Sequence, residues 1–484
     1  MSLQWRMVHD SPILYYMGFL IDNFHAVPYR DFFDMNMPGA HWLNALIGSI
    51  FGFTDSGFQK ANILILVTTL ALAFIWLRSF GLNPAWASAN IFGLSFLQYG
   101  PAMSMQREFL TIPFMLLALV FYSMSPASSY RIRYFLIGFF ICCAVFIKPQ
   151  SGLILIIFLF LDGWYLLQKD QSRQIRNFLF SYVCMFAGFF LPIFAALLYF
   201  SLNNAIPAFL EVATGYWPLY TDINARLEIT SGHEDVAAAL AGIPSIGLQA
   251  LWLIPGGINA FSILKSRSVH HINKNKTVLM IGGILVCLIE VIIANKYWEY
   301  HWLPMIFFMI ILAGSGFCFM DLKRSWAGAL GLLLVCVIVL RPSSYIEMQI
   351  SGETLPSPQG GRVDDIAEYL EKNLDPGDTV QPLDWSNGAV QSMLMVRATP
   401  ATRYLYDFHF YHHISTPEIQ HLRADFLSKL QNSRPKVVIE FYDGRPWVNG
   451  PDTTRDFLGL SNFLVENYYV DVDRGGYRLW MRDH

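Results

Sequence analysis

Apolar residues in this chain run in long unbroken blocks rather than alternating with polar ones. The blocks lie at roughly 61–78, 85–100, 109–124, 132–147, 152–168, 178–202, 240–264, 277–294, 304–322 and 325–341. About 17–25 apolar residues in a helix span the hydrocarbon core of a bilayer, so the pattern predicts about ten membrane helices, several of them short. Beyond Arg341 the pattern changes. Helical spacing appears at 363–373, 388–396, 416–432 and 454–465, with Pro-Gly or Asn-Gly pairs as punctuation. Runs at Thr379–Leu383, Arg403–Tyr406, Val437–Phe441, Tyr468–Val472 and Tyr477–Met481 predict strands. Alternating helices and strands predict a small α/β domain with a largely parallel sheet and a closing hairpin. No Gly-rich phosphate loop opens these helices, which argues against a nucleotide site there. The expected fold class is therefore a polytopic α-helical membrane protein with a C-terminal soluble α/β domain. Its regions are an outer loop with interfacial helices (1–60), a transmembrane domain (61–341) and the soluble domain (342–484).

Composition sharpens this picture. Of the 484 residues, 54% are hydrophobic and 14% charged, against about 25% charged in an ordinary soluble domain. A net charge of −3 argues against a nucleic-acid partner, which needs a clustered cationic surface. The six cysteines (Cys142, Cys143, Cys184, Cys287, Cys318, Cys336) fall in apolar segments without metal-ligand spacing and read as small core residues.

Cation placement sets an orientation. One set of alternate loops carries Arg78, Arg131, Arg133, Lys169, Arg173, Arg176, Lys265, Arg267, Lys274, Lys276, Lys323 and Arg324. The other carries only Lys60, Arg107, Lys148, Arg226 and Lys296. The richer set belongs in the cytoplasm. Residues 1–60, the 203–236 loop and everything after Arg341 then lie outside it. A chain that begins outside without a leading span predicts one further helix upstream of Met1, the alternative being a short tail translocated unaided.

The outer face is where chemistry is to be sought, because charged groups are excluded from hydrocarbon. Asp10 precedes an aromatic segment, Ile13–Phe24, too short to span and suited to lying along the interface. The loop Pro28–Gly39 follows, carrying Arg30, Asp31, Asp34 and Asn36, with His41 just beyond. It reads either as a site or as a solvated loop rich in turn-forming residues. Arg107 and Glu108 head a span and could pair with each other, Lys148 could snorkel to water, and Lys296–Trp302 has the composition of an aromatic belt. Asp407, His409, His412 and His413 are the most metal-like group, but their spacing lacks convergence and they read as surface residues. His270 and His271 read as solvated. No cofactor is called for, with a divalent metal as the alternative that the 407–413 group leaves open.

The order of an acidic residue (Asp10), an interfacial helix, a polar loop with a Pro turn and a helix opening His41-Trp42-Leu43 resembles the first outer loop of GT-C glycosyltransferases. The branch is that of protein O-mannosyltransferases and lipid A aminoarabinose transferases. The resemblance continues through Phe51-Gly52-Phe53, the segment from Ala61 to Arg78, the acid Glu108 before Phe109–Met124 and the turn Lys148-Pro149. It covers the membrane part well and the last 140 or so residues loosely. Ser11 stands where the family keeps a second acid, and Asn36 and Met37 replace the cationic residue and first proline of its turn.

The resemblance implies an inverting hexosyl or pentosyl transferase at the periplasmic face of a bacterial inner membrane. Its donor would be a sugar on a polyprenyl phosphate, and its acceptor a hydroxyl of a cell-envelope glycan, lipid or protein. Asp10 would be the general base. Arg30, Arg107 and Lys148 would meet the lipid phosphate, Glu108 would organise the site, and Tyr300 and His301 would face the lipid carrier. Asp34, Asn36 and His41 would line the substrate side. The C-terminal domain would cover the site or hold the acceptor. Two other classes compete. A flippase or transporter of lipid-linked sugars places ions at mid-bilayer in broken helices, often within repeats, whereas here ions gather at one face and no repeat is evident. An O-antigen polymerase or ligase would carry paired arginines in a large outer loop, and 203–236 holds only Arg226.

Overall fold

The computed structural model describes residues 2–124, 130–167, 172–224, 226–229, 242–316, 322–443 and 448–483. Lys169, Cys318 and the stretch 230–236 of the outer loop lie outside them, as do the side chains of Arg173, Lys323 and Arg324. The chain divides into two compact units. One comprises Met1–Lys60, Tyr199–Val236 and Thr354–His484, the other Ala61–Leu198 and Ala237–Glu353.

The second unit is helical. Each apolar block of the sequence carries helix, from Asp55–Leu77 and Leu82–Leu97 through Arg107–Ser123, Tyr130–Val145 and Ser172–Leu202 to His271–Ala294 and Leu322–Val339. Among the described residues four helices are long and apolar enough to cross a membrane. They are Asp55–Phe80, Phe178–Leu202, Ile243–Lys265 and His271–Ala294, and a pair bent by 87°, Leu330–Val339 with Ser344–Ser351, makes a fifth if counted as one. Shorter apolar helices lie at Pro149–Trp164 and Glu299–Ser315. At the centre sits Leu303–Ser315, every residue of which is buried. A helix apolar on all sides can only be stable surrounded. The helices Leu82–Leu97, Leu253–Lys265 and His271–Ala294 pack on it. Small residues let the backbones approach: Gly314 abuts Ser88, and Gly283 abuts the Phe308 ring. The outside is apolar as well, with Leu64, Trp86, Phe190, Phe194 and Phe261 all exposed. Water would not tolerate that girdle, and lipid would. The protein is a polytopic membrane protein.

The first unit is built on a five-stranded sheet of order β2-β1-β3-β5-β4. The strands are β1 (Thr379–Leu383), β2 (Thr399–Pro400), β3 (Val437–Phe441), β4 (Tyr468–Arg474) and β5 (Tyr477–Arg482). β1 pairs parallel with β2 and β3, while β5 runs antiparallel to both β3 and β4. The closing hairpin turns on Gly475-Gly476, where Gly476 has φ +98°, a conformation a Cβ would disfavour. The helices Arg362–Asn373, Ala389–Val396, Pro417–Ser433 and Leu458–Asn467 complete the α/β fold.

One expected strand is displaced. Arg403–Tyr406 does not join the sheet; the parallel partner of β1 is Thr399–Pro400. The later residues pair instead with the N-terminal loop: Phe33 N donates to Arg403 O at 2.7 Å, and Phe33 bridges Tyr404. Alternating aromatic residues that read as a strand are claimed by a partner some 370 positions away in sequence. The helix Ser11–Phe24 is held in the same unit. Tyr16 Oη donates to Ala398 O at 2.6 Å, and Gln391 Nε2 donates to Met7 O at 3.3 Å. Residues Ser11–Leu20 are buried throughout.

Candidate functional site

Three residues singled out in sequence meet in the helical unit. Glu108 sits in the first turn of Arg107–Ser123, where the helix dipole favours an acid. The preceding loop is pinned by Asn62, whose Oδ1 accepts from Met105 N at 3.1 Å, with Met105 at φ +55°. Lys148 follows the helix Tyr130–Val145 in an extended conformation (φ −144°), as the following Pro149 requires. His301 lies in a single 3-10 turn, Glu299–Trp302, before the central helix. These turns bring Lys148 Nζ to 3.2 Å and His301 Nδ1 to 3.1 Å from the same oxygen, Glu108 Oε1. All three side chains are buried, at 0% exposed for Glu108, 7% for Lys148 and 5% for His301.

The contacts are ion pairs by distance but not hydrogen bonds by direction. Both Glu108 oxygens, the Lys148 ammonium and both His301 ring nitrogens find no hydrogen-bond partner among the described residues. Buried polar groups are normally satisfied, so this cluster retains directional capacity for another polar group. Arg107, half-buried, adds to the field at Glu108, and the Tyr300 ring lies 4.6 Å from that of His301.

Sequence reasoning missed Glu290. It is the only Asp, Glu, Lys or Arg in the run 277–294 and is 1% exposed, with Oε1 unpartnered among the described residues. A lone acid in an apolar span was the available signal.

A second group of expected residues meets in the sheet-bearing unit. Asp34 is 1% exposed. Its Oδ2 takes His41 Nε2 at 2.6 Å and Asn36 N at 3.0 Å; its Oδ1 takes Asn36 Nδ2 at 3.1 Å and Tyr406 Oη at 2.9 Å. Burial would raise the Asp34 pKa, but the His41 bond and charge, with the Asn36 and Tyr406 bonds, outweigh it and hold the carboxylate below its usual range. The same carboxylate, added to burial, pushes Tyr406 well above the ordinary phenol range. With four donors on two oxygens, Asp34 is a fastener: it ties the loop before the helix Pro38–Phe51 to the α/β domain. Tyr406 was not foreseen, because nothing local marks it.

The remaining candidates have their own surroundings. Asp10 heads the helix Ser11–Phe24 without capping it through its side chain and is half-exposed. Arg30 is engaged bidentately by Asp31, at 2.8 and 2.7 Å, and donates to Asn203 O at 2.7 Å. The histidines expected at the surface are buried instead. His409 and His412 are fully enclosed, His409 among the rings of Phe33, Tyr404, Tyr406 and Phe410. Burial, then the fields of His412 and Arg403, hold His409 well below its ordinary pKa. Their aromatic neighbours come from distant segments, which is why the sequence suggested exposure. Among the described residues no group of three or more His, Cys, Asp or Glu side chains could hold a metal.

No protein-family model matches the sequence, and no curated protein matches it. Solved structures do match. ArnT from Cupriavidus metallidurans bound to undecaprenyl phosphate superposes with a TM-score of 0.60 at 13% identity, over 99% of this chain and 95% of that one. The apo state of the same protein gives a TM-score of 0.59 at 13% identity, over 99% and 94%. The chain therefore shares the fold of that protein along nearly its whole length.

Proposed function

We propose that this chain is a GT-C glycosyltransferase that moves a sugar from a polyprenyl phosphate to a hydroxyl of a cell-envelope glycan, lipid or protein. The observation that carries the reading is Lys148: a buried ammonium among apolar helices, beside a carboxylate, with directional hydrogen-bonding capacity to spare. A lipid phosphate is a ligand that reaches such depth and takes such a partner. The fold supports the same reading, since a protein sharing it was solved with undecaprenyl phosphate.

In the proposed reaction the acceptor oxygen attacks the anomeric carbon from the face opposite the phosphate. The bond from that carbon to the phosphate oxygen breaks, and its electron pair leaves with the lipid phosphate, so configuration inverts. Asp10 receives the acceptor proton. That role falls to Asp10 rather than Asp34 because every acceptor contact of Asp34 is spent on holding its loop. Lys148 stabilises the phosphate as its charge grows, with Glu108 and His301 fixing the ammonium and Arg107 and Tyr300 at the rim. Arg30 contributes little to the donor, its charge being matched by Asp31. We place the reaction and the α/β domain at the extracytoplasmic face of a bacterial inner membrane, on the cation bias of the loops. The chain would then fall into an outer segment 1–60, a membrane domain 61–341 and a soluble domain 342–484.

The test is transfer of radiolabelled sugar from a panel of polyprenyl-phosphate hexoses and pentoses to envelope extracts by the reconstituted protein. Asp10→Asn should abolish turnover while undecaprenyl phosphate still binds; Lys148→Met should lose that binding. Full activity of Asp10→Asn would remove Asp10 as base.

A further inference from the structure

The helix His271–Ala294 carries one carboxylate in its apolar length, and the reaction above does not use it. Glu290 is buried, and its Oε1 has no hydrogen-bond partner among the described residues. Its helix packs on the turn Pro149–Ile154 that begins at Lys148, and on the turn Glu299–Trp302 that carries His301. Lys148 acts electrostatically on Glu290 and on Cys287, one helical turn earlier, and Glu108 acts on Glu290 as well. The ammonium that Glu108 contacts at 3.2 Å therefore also acts on the 287/290 face of this helix. The central helix Leu303–Ser315, also packed on this one, holds no ionisable residue. His301 also bears on the cluster, with Arg107 and Lys296 acting on it; the other elements packed on this helix, Leu253–Lys265, Leu155–Leu167 and Arg78–Phe80, carry Lys265, Asp162 and Arg78.

Two buried carboxylates thus lie within the field of one buried ammonium. An arriving lipid phosphate adds at least one further negative charge beside them. Uncompensated charge in such surroundings is prohibitive, and buried acids respond by taking up a proton. Glu108 is held as an anion by Lys148 at 3.2 Å. Glu290 has no such contact among the described ion pairs.

We propose that Glu290 is the charge-compensating residue of the donor-phosphate site: it takes a proton from water when the lipid phosphate binds and returns it when the phosphate leaves. This rests on the donor-phosphate reading of Lys148. Glu290 is a positioning residue for charge, so its signature is a pH dependence rather than a lost reaction.

The experiment is isothermal titration of the full-length protein in detergent with undecaprenyl phosphate, at pH 7.5–9, where the phosphate's own second ionisation (pKa about 6) is complete. Each titration is run in two buffers of different ionisation enthalpy. The native protein should take up close to one proton per lipid, and its affinity should fall as pH rises, approaching about tenfold per unit. Glu290→Gln should bind with proton uptake near zero and affinity flat across the same range. Equal uptake by native protein and variant would overturn the proposal. So would absence of uptake in the native protein, which decides the matter even if the variant does not fold. Failure of the native protein to bind the lipid at any pH would sink the donor-site reading itself.

Discussion

Replacing Asp34 by alanine tests whether the polar loop is fastened as the geometry implies. The change strips four contacts of 2.6–3.1 Å from a carboxylate that is 1% exposed. His41 and Tyr406 stay buried, and His41 Nδ1 already lacks a partner. Each hydrogen bond to a charged group contributes about 1.5–3 kcal/mol, and the contributions are not additive. Breaking one side of a buried ion pair costs about 3–5 kcal/mol, so that is the expected loss. At about 2–4 °C per kcal/mol for a unit of this size, the melting temperature should fall by about 10 °C. Thermal unfolding in detergent, followed by tryptophan emission, measures it directly. Trp385 reports locally, because its ring lies 5.2 Å from that of Tyr406. Tyr406→Phe removes one donor and should cost less; Asp34→Asn keeps shape and part of the acceptor capacity and should fall between. An Asp34→Ala protein melting within about 2 °C of its parent, with Trp385 emission unmoved, would refute the fastening argument.

Other consequences concern acid, charge and packing. His409 is neutral in the fold, with its pKa below the ordinary value. The unfolded chain therefore binds the extra proton, and stability is present above about pH 6.5 and lost below it, by up to about 1.4 kcal/mol per pH unit. His409→Phe should flatten the melting temperature between pH 7.5 and 5. Asp34 is depressed instead, so its contribution persists above its unfolded pKa of about 4 and disappears as pH falls through its folded value; Asp34→Asn should remove that lower step from an acid titration. Arg403 is met by Glu211 at 2.8 and 2.9 Å and by Asp425 at 3.2 Å, so Arg403→Met should destabilise by about 3–5 kcal/mol in chemical denaturation. A Cβ on Gly138 would run into the Met185 carbonyl and one on Gly188 into that of Phe135. Gly138→Val should then force the helices Tyr130–Val145 and Ser172–Leu202 apart, seen as loss of monodisperse protein on gel filtration.

The chain order alone determined a good deal. Unbroken apolar blocks can be satisfied only as helices in lipid, so the membrane body was readable without coordinates. β1, β3 and the closing hairpin were readable because their patterns are local and their turn is Gly-Gly. Glu108, Lys148 and His301 were each visible as charges at the ends of apolar helices. That they share one carboxylate oxygen was not, since they come from three turns up to 193 positions apart and only helix packing brings those turns together. Tertiary structure likewise decided the fate of Asp34, whose deciding partner Tyr406 lies 372 positions away. It also took Arg403–Tyr406 from the sheet to the N-terminal loop, and buried histidines whose neighbours in sequence gave them no cover. Periodicity reports which face of a segment meets its surroundings. It cannot report which distant segment supplies the surroundings, and buried polar groups are settled by that second fact.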